Sequence, residues 1–409
     1  MTYFIFILTN FRFLLLTILM TGFSSFGQTF YISLFGGEIR SFYGLTSGQF
    51  GGYYSVATLA SGFTILWLGS VVDRYDLKKI VVVVISLLAI SCLMMGLSTH
   101  WIGLILSFYL LRLFGQGFMT HTAMTATGRY FDANRGKAIS VTESGFPVGQ
   151  SVLPILTVWL IGFIGWRETW ISSAIFLLVF FLPLALWLLK GQQQRHLDYL
   201  QSQQQAVAAS GDTAGTTNWT RKQILSDSRF YIILPMLLSA PFILTGLFFH
   251  QVHLAMEKNW TLALMATGLI AFSITQIAGN LIAGGLIDKF SSRKLYGWSA
   301  LPLIFGLLIF SMGNGTENLV IYLLLAGLTA GMGGTFGNAI WPEMYGTKHL
   351  GAIRSMAGFI MIVATALSPA FFGWLIDQSV SMNQIALFSA GYTLLSLLVI
   401  QIARKFHYF

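Results

Sequence analysis

The sequence predicts an all-α membrane protein of twelve transmembrane helices, built as two parallel repeats of six, with both termini in the cytoplasm. Three observations lead there: an apolar composition, the recurrence of apolar runs about one bilayer long, and a charged stretch that occurs twice. Of 409 residues, 55% are hydrophobic and only 9% charged, against about 25% in ordinary soluble domains. Mean hydropathy is +0.73. A helix needs about 20 apolar residues to span a bilayer, and hydrocarbon offers no partner to an open backbone, so each run must be helical. Ten-residue alternating strands are absent, which excludes a membrane barrel. The start, MTYFIFILTN, lacks a basic segment and a small-residue cleavage site, so no cleaved signal is expected. The single cysteine, Cys92, falls inside a span, which excludes an intrachain disulfide.

Taken in order, the first span, 12–34, follows Arg12 and carries Ser24, Gln28 and Tyr31 on one face. The second, 47–72, is uncharged up to Leu68 and contributes Tyr54. The third, 80–98, is apolar all round, as are the sixth (167–190), ninth (295–312) and twelfth (382–402), which suits lipid-facing supports. The fourth, 101–127, carries Arg112, Gln116 and Thr120 at i, i+4 and i+8. The fifth, 138–163, places Glu143 and Gln150 seven apart on one face and contains Gly145-Phe-Pro147-Val-Gly149, a hinge or packing notch. The seventh, 229–256, ends with His250, His253 and Glu257. The eighth, 260–286, presents Ser273, Gln276 and Asn280 at i, i+3 and i+7. The tenth, 318–343, aligns Thr335, Asn338 and Trp341, and its Gly333 and Gly337 are spaced to admit a neighbouring helix. The eleventh is 352–378. One polar interval, rich in Gln, Ala, Ser, Gly and Thr, interrupts the series and reads as a cytoplasmic linker. The expected domains are therefore a six-helix bundle over 1–190, a linker over 191–228 and a second bundle over 229–409.

Charge sets the orientation. With the N-terminus inside, nineteen of the 23 basic residues collect on one side, Arg354 among them. This accounts for the net charge of +9 without nucleic acid as a partner.

The stretch GSVVDRYDLKK, 69–79, puts five charges into eleven residues between uncharged runs, and GGLIDKFSSRK repeats it 215 residues later. Gly69 falls on Gly284, Asp73 on Asp288 and Arg74 on Lys289; the same shift carries Tyr130 to Tyr345 and Pro154 to Pro369. Equal loops on one membrane side mean parallel repeats. This doubled loop, with Arg112 in the fourth span, resembles the major facilitator superfamily of secondary transporters over essentially the whole chain. Residues 128–156 and 248–260 further resemble its monocarboxylate and oxalate/formate branch, although the eighth span lacks the charged pair that branch often carries there. The resemblance implies that Asp73 faces the N-terminus of the eleventh span, near Ala352, and Asp288 that of the fifth, near Lys137. Gly69, Asp73, Arg74, Gly284, Asp288 and Lys289 would then form a cytoplasmic gate.

The polar stripes avoid the four apolar spans, which points to a central polar cavity. Candidate substrate contacts are Arg112, Gln116, Gln28, Tyr31, Tyr54, Gln276, Asn280, Asn338, Trp341 and His250. Arg112 lies near midplane, where charge is costly and serves function. It either meets a substrate or coupling ion, or is a structural arginine held by backbone carbonyls of a broken or bent neighbour. Glu143 is either a proton carrier, its pKa raised by burial, or a neutral hydrogen-bonding acid or salt-bridge partner. His250, His253 and Glu257 have metal-like spacing without a fourth ligand, so an entrance role is expected and no metal. The run 331–337 follows no strand and is not a phosphate loop.

These features point to alternating-access transport of a small organic anion, a carboxylate symported with a proton, by a monomer in a bacterial inner membrane without a cofactor. The alternative within the same fold is a proton-driven exporter of amphipathic compounds. HExxH, GxSxG and paired-Asp constellations are missing, so an enzyme is not expected. A receptor would need a sensing domain that the chain does not show.

Overall fold

The computed structural model describes residues 3–131, 135–191, 219–287, 289–346 and 350–405. Most of the expected linker, the gate residue Asp288, and the side chains of Asp73 and Arg74 lie outside the described residues.

Among the described residues, ten helices are long and apolar enough to cross a membrane. They run Leu77–Leu97, Trp101–Tyr130, Lys137–Ile164, Trp166–Leu188, Ser228–Phe249, Leu262–Ile287, Ser292–Met312, Thr316–Tyr345, Met356–Asp377 and Met382–Lys405. An eleventh is a bent pair, Phe11–Gly27 with Thr29–Tyr43, whose halves meet at 50°. Helix Ser47–Leu68 has 22 residues and no charge. Its glycines, serines and tyrosines leave it less apolar than these.

Several spans are interrupted where the periodicity alone predicts continuity. The first breaks at a 3-10 turn, Ser24–Gly27, followed by Gln28 in extended conformation at φ −86° and ψ 150°. The fourth turns π-helical over Leu111–Met119 and the sixth over Leu177–Phe181. The fifth divides at Ser144 into Arg135–Glu143 and Gly145–Ile164. The seventh divides at His250, between Ser228–Phe249 and Gln251–Lys258. The ninth enters through a 3-10 turn, Tyr296–Ala300, before Leu301–Met312. Pro302 starts that last helix, where its missing N–H costs nothing.

The described chain forms two units: residues 1–32 with 60–215, and residues 33–59 with 216–409. In the first unit, threonine hydroxyls join three helices across a buried seam. Thr142 Oγ1 lies 2.8 Å from Thr17 Oγ1 and 2.9 Å from Thr127 Oγ1, and Thr21 Oγ1 donates to Thr142 O at 2.7 Å. Small residues and hydroxyls bind helices together where apolar contact gains nothing over lipid. Gly145 and Gly149 serve this seam as a packing notch. Cβ atoms there would come within 2.1 Å of Ile18 O and 2.3 Å of Gly22 O.

In the second unit, scarce carboxylates cap the N-termini of neighbouring helices, whose first N–H groups have no partner of their own. Asp377 accepts from Ser47 N at 3.0 Å, Gly48 N at 2.8 Å and Thr46 Oγ1 at 2.7 Å. Thr46 and Gln49 complete a capping box on the same helix, with bonds of 3.0 and 3.2 Å. Glu257 accepts from Met382 N at 2.8 and 3.0 Å, beside a second box formed by Ser381 and Gln384. Glu343 accepts from Ser291 Oγ at 2.7 Å and Ser292 N at 2.9 Å. Just before the 228–249 helix, Trp219 N donates to Tyr345 O, and Ile224 is fully buried in the unit's core.

Candidate functional site

Arg112 sits within the π-helical stretch of the fourth span and is 7% exposed. Its Nη1 donates to Gly27 O at 3.3 Å and Thr29 Oγ1 at 3.4 Å, where the first span is broken. Two glycines bring the break against the π turn. A Cβ on Gly27 would lie 2.1 Å from Leu111 O, and one on Gly115 would lie 2.6 Å from Gly27 Cα. A broken helix leaves carbonyls that hydrocarbon cannot solvate, and a guanidinium supplies donors to them. The neighbour named by the structural reading of Arg112, a broken helix offering its carbonyls, is thus in place.

The other first-unit candidates are spread out. Gln28 is buried at the break, and Gln116 is half-buried one π turn beyond Arg112. Tyr31 is fully packed, its ring 5.5 Å edge-on from Trp170 and its hydroxyl bonded to Thr157 and Ser173. Glu143 is exposed at the last residue of helix Arg135–Glu143. Gly69 O accepts from His121 Nε2 at 3.0 Å, and Arg129 Nη2 donates to Val72 O at 2.9 Å, so the charged turn is tied to the fourth span through its carbonyls. The next acid, Asp76, caps its own helix through Lys78 N and Lys79 N.

In the second unit, Tyr54 is wholly buried with its ring 4.5 Å from that of Phe249. The His250 ring pairs with Pro369 O at 2.9 Å, and His253 lies 3.7 Å from Glu257. Glu257 caps the 382–405 helix and His250 binds a carbonyl inside the 350–377 helix, so the two outer members of the triplet tie this segment to other helices. Among the described residues no group of three or more metal-ligating side chains converges. Asn280 Oδ1 accepts from Thr335 Oγ1 at 3.1 Å, and Gln276 is half-buried nearby. Lys289 is exposed, and a Cβ at Gly284 would meet nothing within 4 Å, so no close approach occurs there.

Asn338 and Trp341 are the candidates that share a cavity. It has a volume of about 460 Å³ and is lined by helices 228–249, 316–345 and 350–377 and by the 296–300 turn. The tenth span's glycines divide their work differently from the spacing prediction. Gly327 and Gly331 make the helix crossing, where added Cβ atoms would lie 2.2 Å from Phe272 O and 2.1 Å from Gln276 O, whereas Gly333 and Gly337 border the cavity. Arg354 lines the same cavity and donates to Asn338 O at 3.1 Å. Its sequence position, early in a span among other basic residues, marked it only as an orienting charge. Its partner lies 16 residues away in another helix.

The family model for the Major Facilitator Superfamily matches residues 17–271 and 251–406. The chain belongs to this superfamily. Its members are transporters of small molecules, and this one is an integral, multi-pass membrane protein. The superfamily chain is 25% identical over 357 residues, 83% of its length and 81% of the relative's, to the cis,cis-muconate transport protein of Acinetobacter baylyi. A multidrug resistance protein B homolog of Mycobacterium tuberculosis is 30% identical over 94 residues, 23% of this chain and 17% of that one. The nucleoside transporter NupG has a similar fold, with a TM-score of 0.71 at 17% identity, covering 99% of this chain and 100% of that one.

Proposed function

We propose that this transporter moves a small organic anion, a carboxylate, across a bacterial inner membrane by alternating access. It does so as a monomer of twelve spans in two parallel six-helix bundles with cytoplasmic termini. The supporting observation is the extent of the likeness to the muconate transport protein, 357 residues against 94 for the multidrug homolog. Muconate is a planar dicarboxylate, and a cavity whose only charged lining residue among those described is an arginine suits such an anion.

Glu143 is the proposed proton carrier, since a monocarboxylate with one proton, or a dicarboxylate with two, moves no net charge against a negative-inside potential. Arg112 is proposed to serve the anion through the break it braces. Displacing a carbonyl by a carboxylate exchanges a neutral acceptor for a charged one, which makes the stronger hydrogen bond. Asp73 and Asp288 remain the proposed gate acids.

A ligand panel read by thermal stabilisation tests the substrate class, because a ligand that binds only the folded state raises the melting temperature. Carboxylates, muconate among them, should stabilise the protein, and neutral analogues should not. Stabilisation by cationic or neutral amphipathic compounds alone would favour the exporter.

A further inference from the structure

The second-unit cavity owes its volume to absent side chains. A Cβ at Gly334 or Gly358 would meet nothing within 4 Å, and one at Gly333 would meet only Ser299 Oγ at 3.9 Å. Glycines that face open space forgo packing contacts, whereas those at a helix crossing are required by it. Three aliphatic hydroxyls of the wall are engaged with backbone. Ser239 Oγ donates to Met236 O at 2.9 Å, Ser299 Oγ donates to Tyr296 O at 2.6 Å, and Thr329 Oγ1 accepts from Leu303 N at 2.9 Å. Arg354 differs: its side chain is exposed and carries the only formal charge among the described residues of the lining. Its bond to Asn338 O holds the guanidinium against the 316–345 helix, three residues before Trp341, which lines the same cavity. Trp341 is held by Tyr345, stacked at 6.3 Å and 17°, and by Phe230 at 5.9 Å.

We propose that Arg354 anchors the carboxylate of the transported ligand in this cavity, and that Trp341 provides a flat wall selecting a planar, unsaturated or aromatic acid. The inference rests on the organic-anion reading and adds to it the residue and the ligand shape. A guanidinium presents its N–H donors in a fork that matches two carboxylate oxygens. Among the described residues no acidic side chain lines the cavity, so its formal charge favours an anion over a cation. At about 30 Å³ per water, 460 Å³ holds roughly fifteen waters' worth of ligand, which suits an acid of about ten heavy atoms. A conjugated chain lies flat on the indole face and gains the aromatic contact that a flexible saturated chain does not.

Sorbate, a planar six-carbon dienoate, and hexanoate, its saturated counterpart, test the proposal on the full chain. Both are measured by binding in detergent and by exchange in phosphatidylcholine liposomes, where no anionic headgroup competes for the arginine. Sorbate should bind more tightly than hexanoate. Arg354→Gln should weaken sorbate at least about tenfold, as loss of a charged hydrogen bond does. Arg354→Lys should fall between, Trp341→Leu should erase the preference for sorbate over hexanoate, and Gly334→Leu should abolish binding by filling the cavity. Folding is followed by the reaction of buried Cys92 with a thiol dye on heating. A folded Arg354→Gln variant with wild-type sorbate affinity overturns the proposal. Should that variant not fold, normal sorbate binding by Gly334→Leu overturns it instead. If the wild type exchanges carboxylates and the variants match it, only this inference falls; if it binds and exchanges none, the organic-anion reading falls and this inference with it.

Discussion

Replacing Asp377 by alanine should loosen the start of the 47–68 helix by a calculable amount. The carboxylate accepts from the main-chain N–H groups of Ser47 and Gly48, at 3.0 and 2.8 Å, and from the Thr46 hydroxyl at 2.7 Å. The Thr46–Gln49 capping box shares the Thr46 hydroxyl with the carboxylate, but both of its bonds run between Thr46 and Gln49 and survive the substitution. Asp377 and Thr46 are exposed and Gly48 is half-buried, so water reaches most of the freed groups, whereas Ser47 is 3% exposed and its N–H is left in part-buried surroundings, which places the loss towards the upper end of the range for a cap. What is lost is one cap, about 0.5–2 kcal/mol, of which the interaction of the charge with the helix end contributes roughly 0.3–1 kcal/mol. A loss of about 0.5–2 kcal/mol corresponds to roughly a 2- to 30-fold change in a local opening equilibrium. Hydrogen exchange of a peptide covering residues 44–55 should therefore accelerate by about that factor, with Asp377→Asn showing the smaller part of it. Gly48→Ala should mimic the loss, because its Cβ would fall 2.5 Å from Asp377 Oδ2 and displace the carboxylate. Exchange in Asp377→Ala indistinguishable from wild type would refute the capping argument.

Four further outcomes follow from the same structure. Arg112→Ala should abolish transport of carboxylates, and Arg112→Lys should weaken their binding by about 1–3 kcal/mol; a well-folded alanine variant with normal affinity would leave Arg112 as a brace for the broken helix alone, and poor folded yield would give that role first place. Glu143→Gln should abolish accumulation driven by a pH gradient while sparing substrate exchange, and full gradient-driven uptake would remove Glu143 from coupling. Gly27→Ala should lower the melting temperature sharply, since its Cβ would overlap Leu111 O at 2.1 Å; an unchanged melting curve would deny the close crossing. Burial would raise the Asp227 carboxyl, but hydrogen bonds and charge from Arg229 outweigh it and hold its pKa below the ordinary range. Its contribution to docking the 219–227 segment is then present above the unfolded carboxylate pKa, about 3.9, and is lost as pH falls through the depressed folded value. Trp219 fluorescence should report that acid release, and Asp227→Asn should remove its pH dependence.

Membrane character and the order of the spans were legible because they depend on composition and run length. The apolar runs around Val81–Val84 or Phe305–Phe310 have few alternatives to a buried helix. The interruptions were less legible. Nothing in LRLFGQGFM marks a π turn, and the break at Ser24–Gln28 shows itself only when Gly27 meets Gly115 from another span. The side chain of Asp73 lies outside the described residues, but the physics expected there, a carboxylate at a foreign helix N-terminus, is visible at Asp377, Glu257 and Glu343. Asp377 and Ser47 stand 330 positions apart, so no local pattern announces their pairing. The same holds for the site. Asn338 and Trp341 stood out by spacing on one helix, but Arg354 joins them only through tertiary packing, and its charge had an orienting role sufficient to explain it.

Counterflow in proteoliposomes addresses the central claim most directly. Vesicles carrying the full chain are loaded with an unlabelled acid and diluted into trace label, across a panel of four- to eight-carbon mono- and dicarboxylates. The label should overshoot transiently for at least one unsaturated acid without any imposed ion gradient, and Arg112→Ala should lose the overshoot. Equilibration of every acid no faster than in protein-free vesicles, alongside exchange of neutral or cationic compounds, would contradict organic-anion transport.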